Sequence, residues 1–410
     1  MKTDALPVAG DEAPSPRGQL AALTLGHFMV DFYGGFLAPL QKPTLLIHYA
    51  VPIAWLTALV AISGFWCNLL QPLFGAFVRS ASTGRWLVFC PLASAVTACM
   101  GLTHSYAALV GLVLVSGVAI AFYHPEGMLA AHAVRGVRDS LAMPIFGSGG
   151  FLGWSAGMKV AAWWGTHKGL DDFWWLLVPG VVSTALLLYF RLGRLEGHAD
   201  EPPAETGAAG PHFALILVLG CFLTTTHTFY SAFITRELVD TFGAPAQDTG
   251  GTALFAFGLF GAMASYGWAA VSDRIGGAAT ILLGQLLGIG AYWMVLQSAV
   301  PGASPDAVVV WSLVAGVALW GSFPVMLTMG RRARGLTPRL RAGLSMGGTW
   351  GFAGLALLVS SRITDEEALL LRTGLVTIGG AAVVALAIAL APARANRDNG
   401  QVSIPDGAKS

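Results

Sequence analysis

Two pairs of ionisable residues lie deep within hydrophobic stretches of the sequence. His27 and Asp31 are four residues apart, so they project from the same face of a helix. His124 and Glu126 flank Pro125 in a later stretch. A charged side chain at the centre of a membrane helix costs ~2.5–3.5 kcal/mol on insertion scales, so such residues usually serve a function. Because histidine titrates near neutral pH and a carboxylate in an apolar medium can take up a proton, we expect a proton-binding site.

The composition indicates that a membrane surrounds these residues. Of 410 residues, 55% are hydrophobic and 11% are charged, against about 25% charged residues in soluble proteins. The net charge of +1 provides no field that would attract nucleic acid. The four cysteines form no Cys-x-x-Cys pair, so neither a disulfide framework nor a metal site is expected, and no cofactor is predicted. The polar first 18 residues lack a secretory signal pattern, so the first hydrophobic run should remain as a span.

Twelve hydrophobic runs approach the ~20 residues that a membrane-spanning helix needs. They begin near Gln19, Val51, Trp86, Tyr106, Leu141, Phe173, His212, Thr249, Ala278, Asp306, Leu340 and Leu369. The predicted organisation is a tail (1–18), a six-helix bundle (19–191), a linker (192–211), a second six-helix bundle (212–392) and a tail (393–410). With the amino terminus in the cytoplasm, 17 of the 23 Lys and Arg residues lie on that side. Both tails and the linker are therefore expected in the cytoplasm, with the spans in the inner (plasma) membrane.

The helical rise places the ionisable residues near the middle of the bilayer. His27 and Asp31 lie ~15 and ~21 Å from the cytoplasmic end of the first run. His124 and Glu126 lie ~17 and ~14 Å from the cytoplasmic end of the fourth run, which Pro125 should kink. Further candidates for substrate binding at a similar depth are Asn68, Gln71, Tyr123, His227 and Trp320. The alternative is that these polar and aromatic residues hold helices together.

An internal duplication is also indicated. A shift of 199 residues aligns 117–120 with 316–319 and Pro125 with Pro324 without a gap. Two six-span halves of this kind resemble the architecture of major facilitator transporters, whose repeats face each other across a central site. Asp273, Arg274 and Gly276 resemble the Asp-Arg-x-Gly loop of that superfamily and are predicted, with Pro125, to serve gating. Lys159 is expected to extend its charge to the outer membrane interface.

Four motifs resemble those of the fosmidomycin-resistance family of major facilitator transporters. They are Gly-His-Phe-Met-Val-Asp at 26–31, Leu-Leu-Gln-Pro at 69–72, Phe-Tyr-His-Pro-Glu at 122–126 and Ile-Phe-Gly-Ser-Gly-Gly at 145–150. The resemblance implies an all-α membrane protein with twelve transmembrane helices in two halves, which exchanges a drug for protons. It also implies the functional set His27, Asp31, Gln71, His124 and Glu126. Gly147 and Val30 stand where the family often has an amide side chain. These departures bear on which substrate is bound more than on the fold.

The sequence therefore predicts a monomeric proton-coupled antiporter that exports a small amphiphilic or anionic compound by alternating access. Its predicted partners are the substrate, protons and the lipid bilayer. Asp31, Glu126, His27 and His124 are the predicted proton-coupling residues. An uncoupled or importing carrier for a small metabolite or metal complex is the alternative. An intramembrane enzyme or a scaffold is less favoured, because the sequence has no His-Glu-x-x-His helix, Gly-x-Ser-x-Gly elbow or Walker loop.

Overall fold

The computed structural model describes residues 14–77, 84–134, 136, 139–194, 210–364 and 366–391. Within these ranges the chain forms helices and no strand, and one isolated backbone bridge joins His212 to Arg334. A helix pairs its own backbone amides and carbonyls, which a hydrocarbon environment requires. The loop after Phe77, most of the predicted linker and both tails beyond Pro14 and Ala391 lie outside the described residues.

The helices fall into two groups on either side of the predicted linker. The amino-terminal part consists of α1 (Pro16–Gly34), α2 (Leu37–Leu40), α3 (Leu46–Tyr49), α4 (Ile53–Phe77), α5 (Gly84–Leu87), α6 (Cys90–Ser94), α7 (Tyr106–Ala133), α8 (Asp139–His167) and α9 (Leu177–Tyr189). The carboxy-terminal part consists of α10 (Phe213–Phe242), α11 (Ala246–Ile275), α12 (Gly277–Ser298), α13 (Pro305–Ala315), α14 (Phe323–Arg332), α15 (Pro338–Gly343), α16 (Thr349–Ile363) and α17 (Glu367–Leu390). Short π-helical turns (Gln41–Leu45, Gly316–Trp320, Leu344–Gly348) and 3₁₀ turns (Ala95–Leu102, Phe173–Leu176, Leu192–Arg194) connect some of them.

Nine helical stretches among the described residues are long and apolar enough to cross a membrane. They are Pro16–Tyr49, Ile53–Phe74, Tyr106–Ala131, Phe213–Phe242, Ala246–Ile275, Gly277–Ser298, Pro305–Arg332, Leu344–Ile363 and Ala368–Leu390. Two shorter apolar stretches are Cys90–Leu102 and Phe173–Tyr189, and α8 has 29 residues. The predicted all-helical fold with many apolar spans is therefore confirmed for the part of the chain that the structure describes.

Glycines allow α1 and α8 to pack closely. Gly149, Gly153 and Gly157 recur every fourth residue along α8 and face α1. A Cβ atom on Gly153 or Gly157 would collide with the backbone carbonyl of Phe28 or Phe32. Small residues at this spacing let two membrane helices approach until their backbones touch. This contact fixes the position of α1, which carries His27 and Asp31, against α8.

The two proline-containing segments of the predicted duplication differ in structure. Helix α7 continues through Pro125, whereas Pro324 lies in the first turn of α14, after the π-helical turn Gly316–Trp320. A π-helical turn leaves backbone groups without their usual partner in the helix. The carbonyl of Val317 in this turn accepts a hydrogen bond from Nε1 of Trp268 at 2.6 Å.

Polar side chains join the two parts at the end of the bundle that contains Gln41. Gln41 Nε2 donates to the carbonyl of Ala232 at 3.0 Å, and Gln247 Nε2 donates to that of Pro39 at 2.9 Å. Lys159, whose charge is predicted to extend to the outer membrane interface, forms an ion pair between the two parts. Its Nζ donates to Asp248 Oδ1 (2.5 Å) and Thr252 Oγ1 (2.8 Å). In addition, Lys42 pairs with Asp240, Thr44 with Gln247, and Arg236 with Thr57. This end of the interface is closed, and we call it the Gln41 end.

Candidate functional site

Helices α1 and α7 bring together three of the predicted residues, and we call His27, Asp31 and His124 the histidine–aspartate cluster. His27 Nε2 lies 3.4 Å from Asp31 Oδ2, and His124 Nε2 lies 3.5 Å from Asp31 Oδ1. The side chain of His27 is 8% exposed, and those of Asp31 and His124 are 18% exposed. One carboxylate therefore lies between two imidazole rings in a nearly closed site.

Hydrogen bonds to backbone carbonyls orient both rings. Nδ1 of His27 lies 2.8 Å from the carbonyl oxygen of Phe146, and Nδ1 of His124 lies 2.8 Å from that of Ile120. A carbonyl oxygen can only accept, so each Nδ1 must donate its hydrogen. In a neutral ring this leaves the lone pair of Nε2 directed towards Asp31. A proton or another cation between Nε2 and the carboxylate would convert this repulsive contact into an attractive one.

Three neighbours on α7 and α8 hold the cluster in place. The ring of Phe146 stacks on that of His27 with centroids 4.3 Å apart. Tyr123 is fully buried and donates its hydroxyl hydrogen to the carbonyl of Leu23 at 2.7 Å, which ties α7 to α1. A Cβ atom on Gly150 would lie 2.5 Å from Asp31 Oδ2, so glycine leaves the space that the carboxylate occupies. Tyr123, a predicted substrate-binding residue, thus also positions the cluster.

The structure places Glu126 away from the cluster. It follows His124 by two residues and therefore points about 200° around α7 from that histidine. Glu126 is 8% exposed, and its Oε1 has no hydrogen-bond partner among the described residues. Glu126 was predicted to lie at a depth similar to that of the cluster. Depth along a helix does not determine the direction in which a side chain points, so a similar depth does not bring Glu126 into the cluster.

Asn68 and Gln71 form a separate polar pair on α4. Gln71 Nε2 donates to Asn68 Oδ1 at 3.1 Å, and Asn68 Nδ2 donates to the carbonyl of Gly64 at 2.7 Å. Both side chains are partly exposed. Among the described residues, no hydrogen bond links this pair to Asp31, so it remains a candidate for substrate binding only.

His227 and Trp320 lie in a second group, formed mainly by the carboxy-terminal part. The ring of His227 packs edge-on against those of Trp320, Trp154 and Trp350, with centroids 4.2, 4.5 and 5.1 Å apart. Trp154 belongs to α8, so this aromatic group crosses the interface between the two parts. His227 lines a cavity with Gln285 of α12.

The predicted gating residues lie at the end of α11. Asp273 and Arg274 occupy its last turn and are exposed. Gly276 follows with φ +84° and ψ 153°, a conformation that disfavours any residue with a side chain. Pro125 lies within α7, one residue from His124.

The histidine–aspartate cluster is also able to hold a metal ion. Two ring nitrogens and one carboxylate oxygen lie within 4.8 Å of one another, and nitrogen and carboxylate ligands suit zinc and related ions. The prediction of no metal site rested on the cysteines alone, and His27 and His124, which are 97 positions apart, form no short metal-binding motif.

Sequence analysis missed several residues of both sites. Gln285 is an amide near the middle of an apolar span, and its position was the available signal. Trp154 and Trp350 resemble ordinary packing aromatics, so no signal distinguished them. The pairing of Lys159 with Asp248 joins residues 89 positions apart, and their charges alone did not predict it.

Comparison with known proteins identifies relatives that match most of the chain. Residues 23–334 match the model of the Major Facilitator Superfamily. The chain is 23% identical to the fosmidomycin resistance protein of Escherichia coli (strain K12) over 387 residues, which cover 90% of this chain and 93% of the relative. It is 24% identical to the uncharacterized transporter YfnC of Bacillus subtilis (strain 168) over 299 residues, which cover 66% and 70%. The predicted resemblance is thus confirmed at low identity.

Solved transporter structures share the fold. A POT family transporter in complex with 5-aminolevulinic acid has a TM-score of 0.69 at 12% identity, covering 91% of this chain and 95% of its own. A bacterial homologue of the human lysosomal transporter Spinster, inward-facing and unoccupied, has a TM-score of 0.66 at 14% identity, covering 92% and 97%. The nucleoside transporter NupG has a TM-score of 0.65 at 14% identity, covering 90% and 98%. The chain therefore belongs to the Major Facilitator Superfamily and is a multi-pass membrane transporter, not an enzyme.

Proposed function

We propose that the protein is a proton-coupled antiporter that exports a small amphiphilic or anionic compound by alternating access. In this proposal it is a monomer of twelve spans in two six-helix bundles, 19–191 and 212–392, in the inner (plasma) membrane. Both tails (1–18 and 393–410) and the linker (192–211) lie in the cytoplasm. The observation that carries the proposal is the position of Asp31 between the Nε2 atoms of His27 and His124.

The cluster can couple a proton to an anion because its charge depends on its protonation. Protonation of an Nε2 atom creates a donor to Asp31, and protonation of the carboxylate removes its negative charge. In the proposed cycle, Asp31 and Glu126 accept protons from outside. Ionised Asp31 stabilises a positive charge on His27 and His124. Its neutralisation removes that support, so the rings lose their charge and the hold of His27, His124 and Gln71 on the substrate weakens.

The closed Gln41 end supports alternating access. Inter-part contacts, including the ion pair of Lys159 with Asp248, close that end. In the proposed orientation it is the outer end, so release of cargo to the outside requires these contacts to break.

Similarity to the fosmidomycin resistance protein supports the substrate class. At 23% identity, the similarity alone carries neither the drug nor the proton coupling to this chain. Fosmidomycin, an anionic phosphonate, is nevertheless the first compound to test, because two histidines at one site can bind an anion when they are protonated.

The test uses purified protein in liposomes with an imposed pH gradient. We expect the gradient to drive fosmidomycin flux, and we expect Asp31→Asn and Glu126→Gln to lose that stimulation while retaining exchange of substrate without a gradient. Asp306→Asn is the matched control, because Asp306 is exposed in the first turn of α13. If gradient-driven flux is unchanged in both Asp31→Asn and Glu126→Gln, the proposed proton role of these two residues is refuted.

A carrier for a metal complex is the second candidate, and the close approach of the ligand atoms in His27, Asp31 and His124 favours it. Flux of a zinc complex that persists after the pH gradient is collapsed, and that His124→Gln abolishes, would support this function over antiport.

A further inference from the structure

The distances within the histidine–aspartate cluster are those found between the ligands of a zinc ion. His27 Nε2 lies 3.4 Å from Asp31 Oδ2, and His124 Nε2 lies 3.5 Å from Asp31 Oδ1. Zinc binds nitrogen and carboxylate oxygen at about 2.0–2.2 Å in a tetrahedral geometry, which places neighbouring ligand atoms about 3.3–3.5 Å apart. Two ring nitrogens and one carboxylate oxygen also lie within 4.8 Å of one another, so small side-chain shifts can complete the coordination.

The hydrogen bonds of the two rings leave the metal-binding nitrogen free. Nδ1 of His27 donates to the carbonyl of Phe146, and Nδ1 of His124 donates to that of Ile120, each at 2.8 Å. Histidines that bind a metal almost always donate their other ring hydrogen in this way, which fixes the orientation of the ring. The side chain of His27 is 8% exposed, and its Nε2 has no hydrogen-bond partner among the described residues. This buried nitrogen is directed at the carboxylate, where a cation would bind.

The cluster has room for a metal ion without a separate cavity, because the ion occupies the gap between its ligand atoms. A charge-assisted hydrogen bond would bring nitrogen and oxygen to about 2.7–2.9 Å, whereas the two separations here are 3.4 and 3.5 Å. The side chains of Asp31 and His124 are 18% exposed, so the ion has a route of entry. Three protein ligands and one solvent ligand are a common zinc coordination.

We infer that the histidine–aspartate cluster binds a zinc ion and that the bound ion inhibits transport. The inference rests on the proposed function, since it names a regulator of the site that binds substrate there. With zinc bound, neither Nε2 atom is available to the substrate. The divalent ion also leaves the cluster with a net positive charge for as long as it stays bound, whereas the proposed cycle requires that charge to change.

The location of the three ligands indicates that the ion is retained and not carried. All three belong to the amino-terminal part, in which the hydroxyl of Tyr123 ties α7 to α1 through the carbonyl of Leu23 at 2.7 Å. Alternating access moves one part of a transporter against the other. Such a movement leaves the ligand set intact, so it does not release the ion. Inhibition by zinc therefore differs from transport of a metal complex.

His104 offers a matched control outside the cluster. It is exposed in the loop before α7, and its ring stacks on that of His48 with centroids 4.3 Å apart. Among the described residues, no carboxylate joins this pair in a group of three ligands. His104→Gln therefore removes an imidazole from a histidine pair without removing a ligand of the proposed zinc site.

Thermal stability in the presence of ZnCl₂ alone provides the first test, with untagged protein in nanodiscs at one pH. We expect zinc to raise the Tm of the unmodified protein and of His104→Gln. We expect His124→Gln and Asp31→Asn to bind zinc at least about 10–100-fold more weakly, because loss of an outer partner of a ligand already costs that much. An equal zinc effect in His124→Gln and the unmodified protein, or no effect in the unmodified protein, would refute the site.

Cobalt(II) provides a measurement that does not depend on the folding of a variant. Tetrahedral cobalt absorbs visible light much more strongly than octahedral cobalt, so its spectrum reports the coordination geometry. We expect CoCl₂ to give a strong visible band with the unmodified protein, and we expect ZnCl₂ to remove that band by displacing the cobalt. A weak octahedral spectrum, or a strong band that zinc does not displace, would overturn the assignment.

Transport in liposomes tests the inhibition. Zinc should lower gradient-driven fosmidomycin flux at least about tenfold once it saturates the site, and EDTA should restore the flux. The zinc concentration is kept well below that of fosmidomycin, so capture of the drug by zinc in solution does not account for the loss. His104→Gln should be inhibited to the same extent. Undiminished flux at a zinc concentration that saturates the Tm shift would refute inhibition, and gradient-driven uptake of radioactive zinc would refute retention.

The zinc site and the proposed antiport can fail independently. The rise in Tm and the cobalt spectrum require neither a pH gradient nor a drug. If both are observed while the gradient drives no fosmidomycin flux, antiport of this drug is refuted and the zinc site stands. Gradient-driven flux without any effect of zinc on Tm or on the cobalt spectrum would refute the zinc site alone.

Discussion

Lys159 Nζ donates a hydrogen bond to Asp248 Oδ1 at 2.5 Å, and this ion pair joins α8 to α11 across the interface of the two parts. The two side chains are 30% and 28% exposed, so solvent weakens the attraction. Partly exposed pairs of this kind contribute ~0.2–1 kcal/mol. In the proposed transport cycle, opening of the Gln41 end separates these two side chains, so we expect the pair to bias the conformational equilibrium towards the closed state.

We expect Lys159→Met to open the Gln41 end more often. The reporter is Ala246→Cys in a variant without other cysteines, because Ala246 is 6% exposed at the start of α11. Its labelling by a membrane-impermeant maleimide should accelerate about 2–5-fold. Lys168→Met, at an exposed lysine near the end of α8, should leave the rate unchanged. Equal labelling rates in the two variants would show that the ion pair does not hold the Gln41 end closed.

The close packing of α1 on α8 should make Gly153 intolerant of alanine. The added Cβ meets the carbonyl of Phe28, which is backbone and cannot rotate away. Overpacking of this kind costs ~1–3 kcal/mol. We therefore expect Gly153→Ala to lower the Tm measured in detergent. Gly147→Ala is the control on the same helix, because a Cβ there meets nothing within 4 Å. A Tm for Gly153→Ala equal to that of the control would show that the helices separate easily.

Gly150 should respond differently, because a Cβ there meets side-chain atoms. The nearest are Asp31 Oδ2 at 2.5 Å and His27 Nε2 at 2.6 Å. These groups can move, so we expect Gly150→Ala to keep the Tm close to that of Gly147→Ala while reducing gradient-driven transport at least about tenfold. Transport at the level of the Gly147→Ala control would show that the position of the carboxylate is unimportant.

Gly276 is expected to be essential for the turn after α11. Its φ of +84° with ψ 153° is accessible to glycine and strained for alanine by about 1–3 kcal/mol. Gly276→Ala should therefore slow transport by distorting the turn that follows Asp273 and Arg274 at the end of α11. The comparison is Gly267→Ala within the same helix, where a Cβ meets nothing within 4 Å. Equal transport rates in the two variants would remove the predicted gating role of the loop.

The sequence was sufficient to predict the class of fold and the core of the cluster. Hydrophobic runs of membrane length determine helices, since no other open structure satisfies the backbone in lipid. The spacing of His27 and Asp31 determines that they share a helix face. The approach of His124 depends on how α7 rotates against α1, which residue spacing within one helix does not specify.

Other features depend on contacts between distant segments. The separation of Glu126 from Asp31 follows from the rotation of α7, although both lie at membrane depth. The meeting of His227 with Trp154 depends on the interface between the parts, as does the pairing of Lys159 with Asp248. A local pattern carries no information on such interfaces, so the sequence indicated the residue types but not their partners.

The interruption between α13 and α14 distinguishes the two halves of the predicted duplication. The π-helical turn Gly316–Trp320 separates these helices, whereas α7 is one helix through Pro125 and is tied to α1 by the hydrogen bond of Tyr123 to Leu23. We expect bending to concentrate at this turn, which ends at Trp320, while α1 and α7, which carry Asp31 and His124, move together as a rigid unit. Such a difference would keep the geometry of the histidine–aspartate cluster constant and let the carboxy-terminal part adapt to substrates of different size.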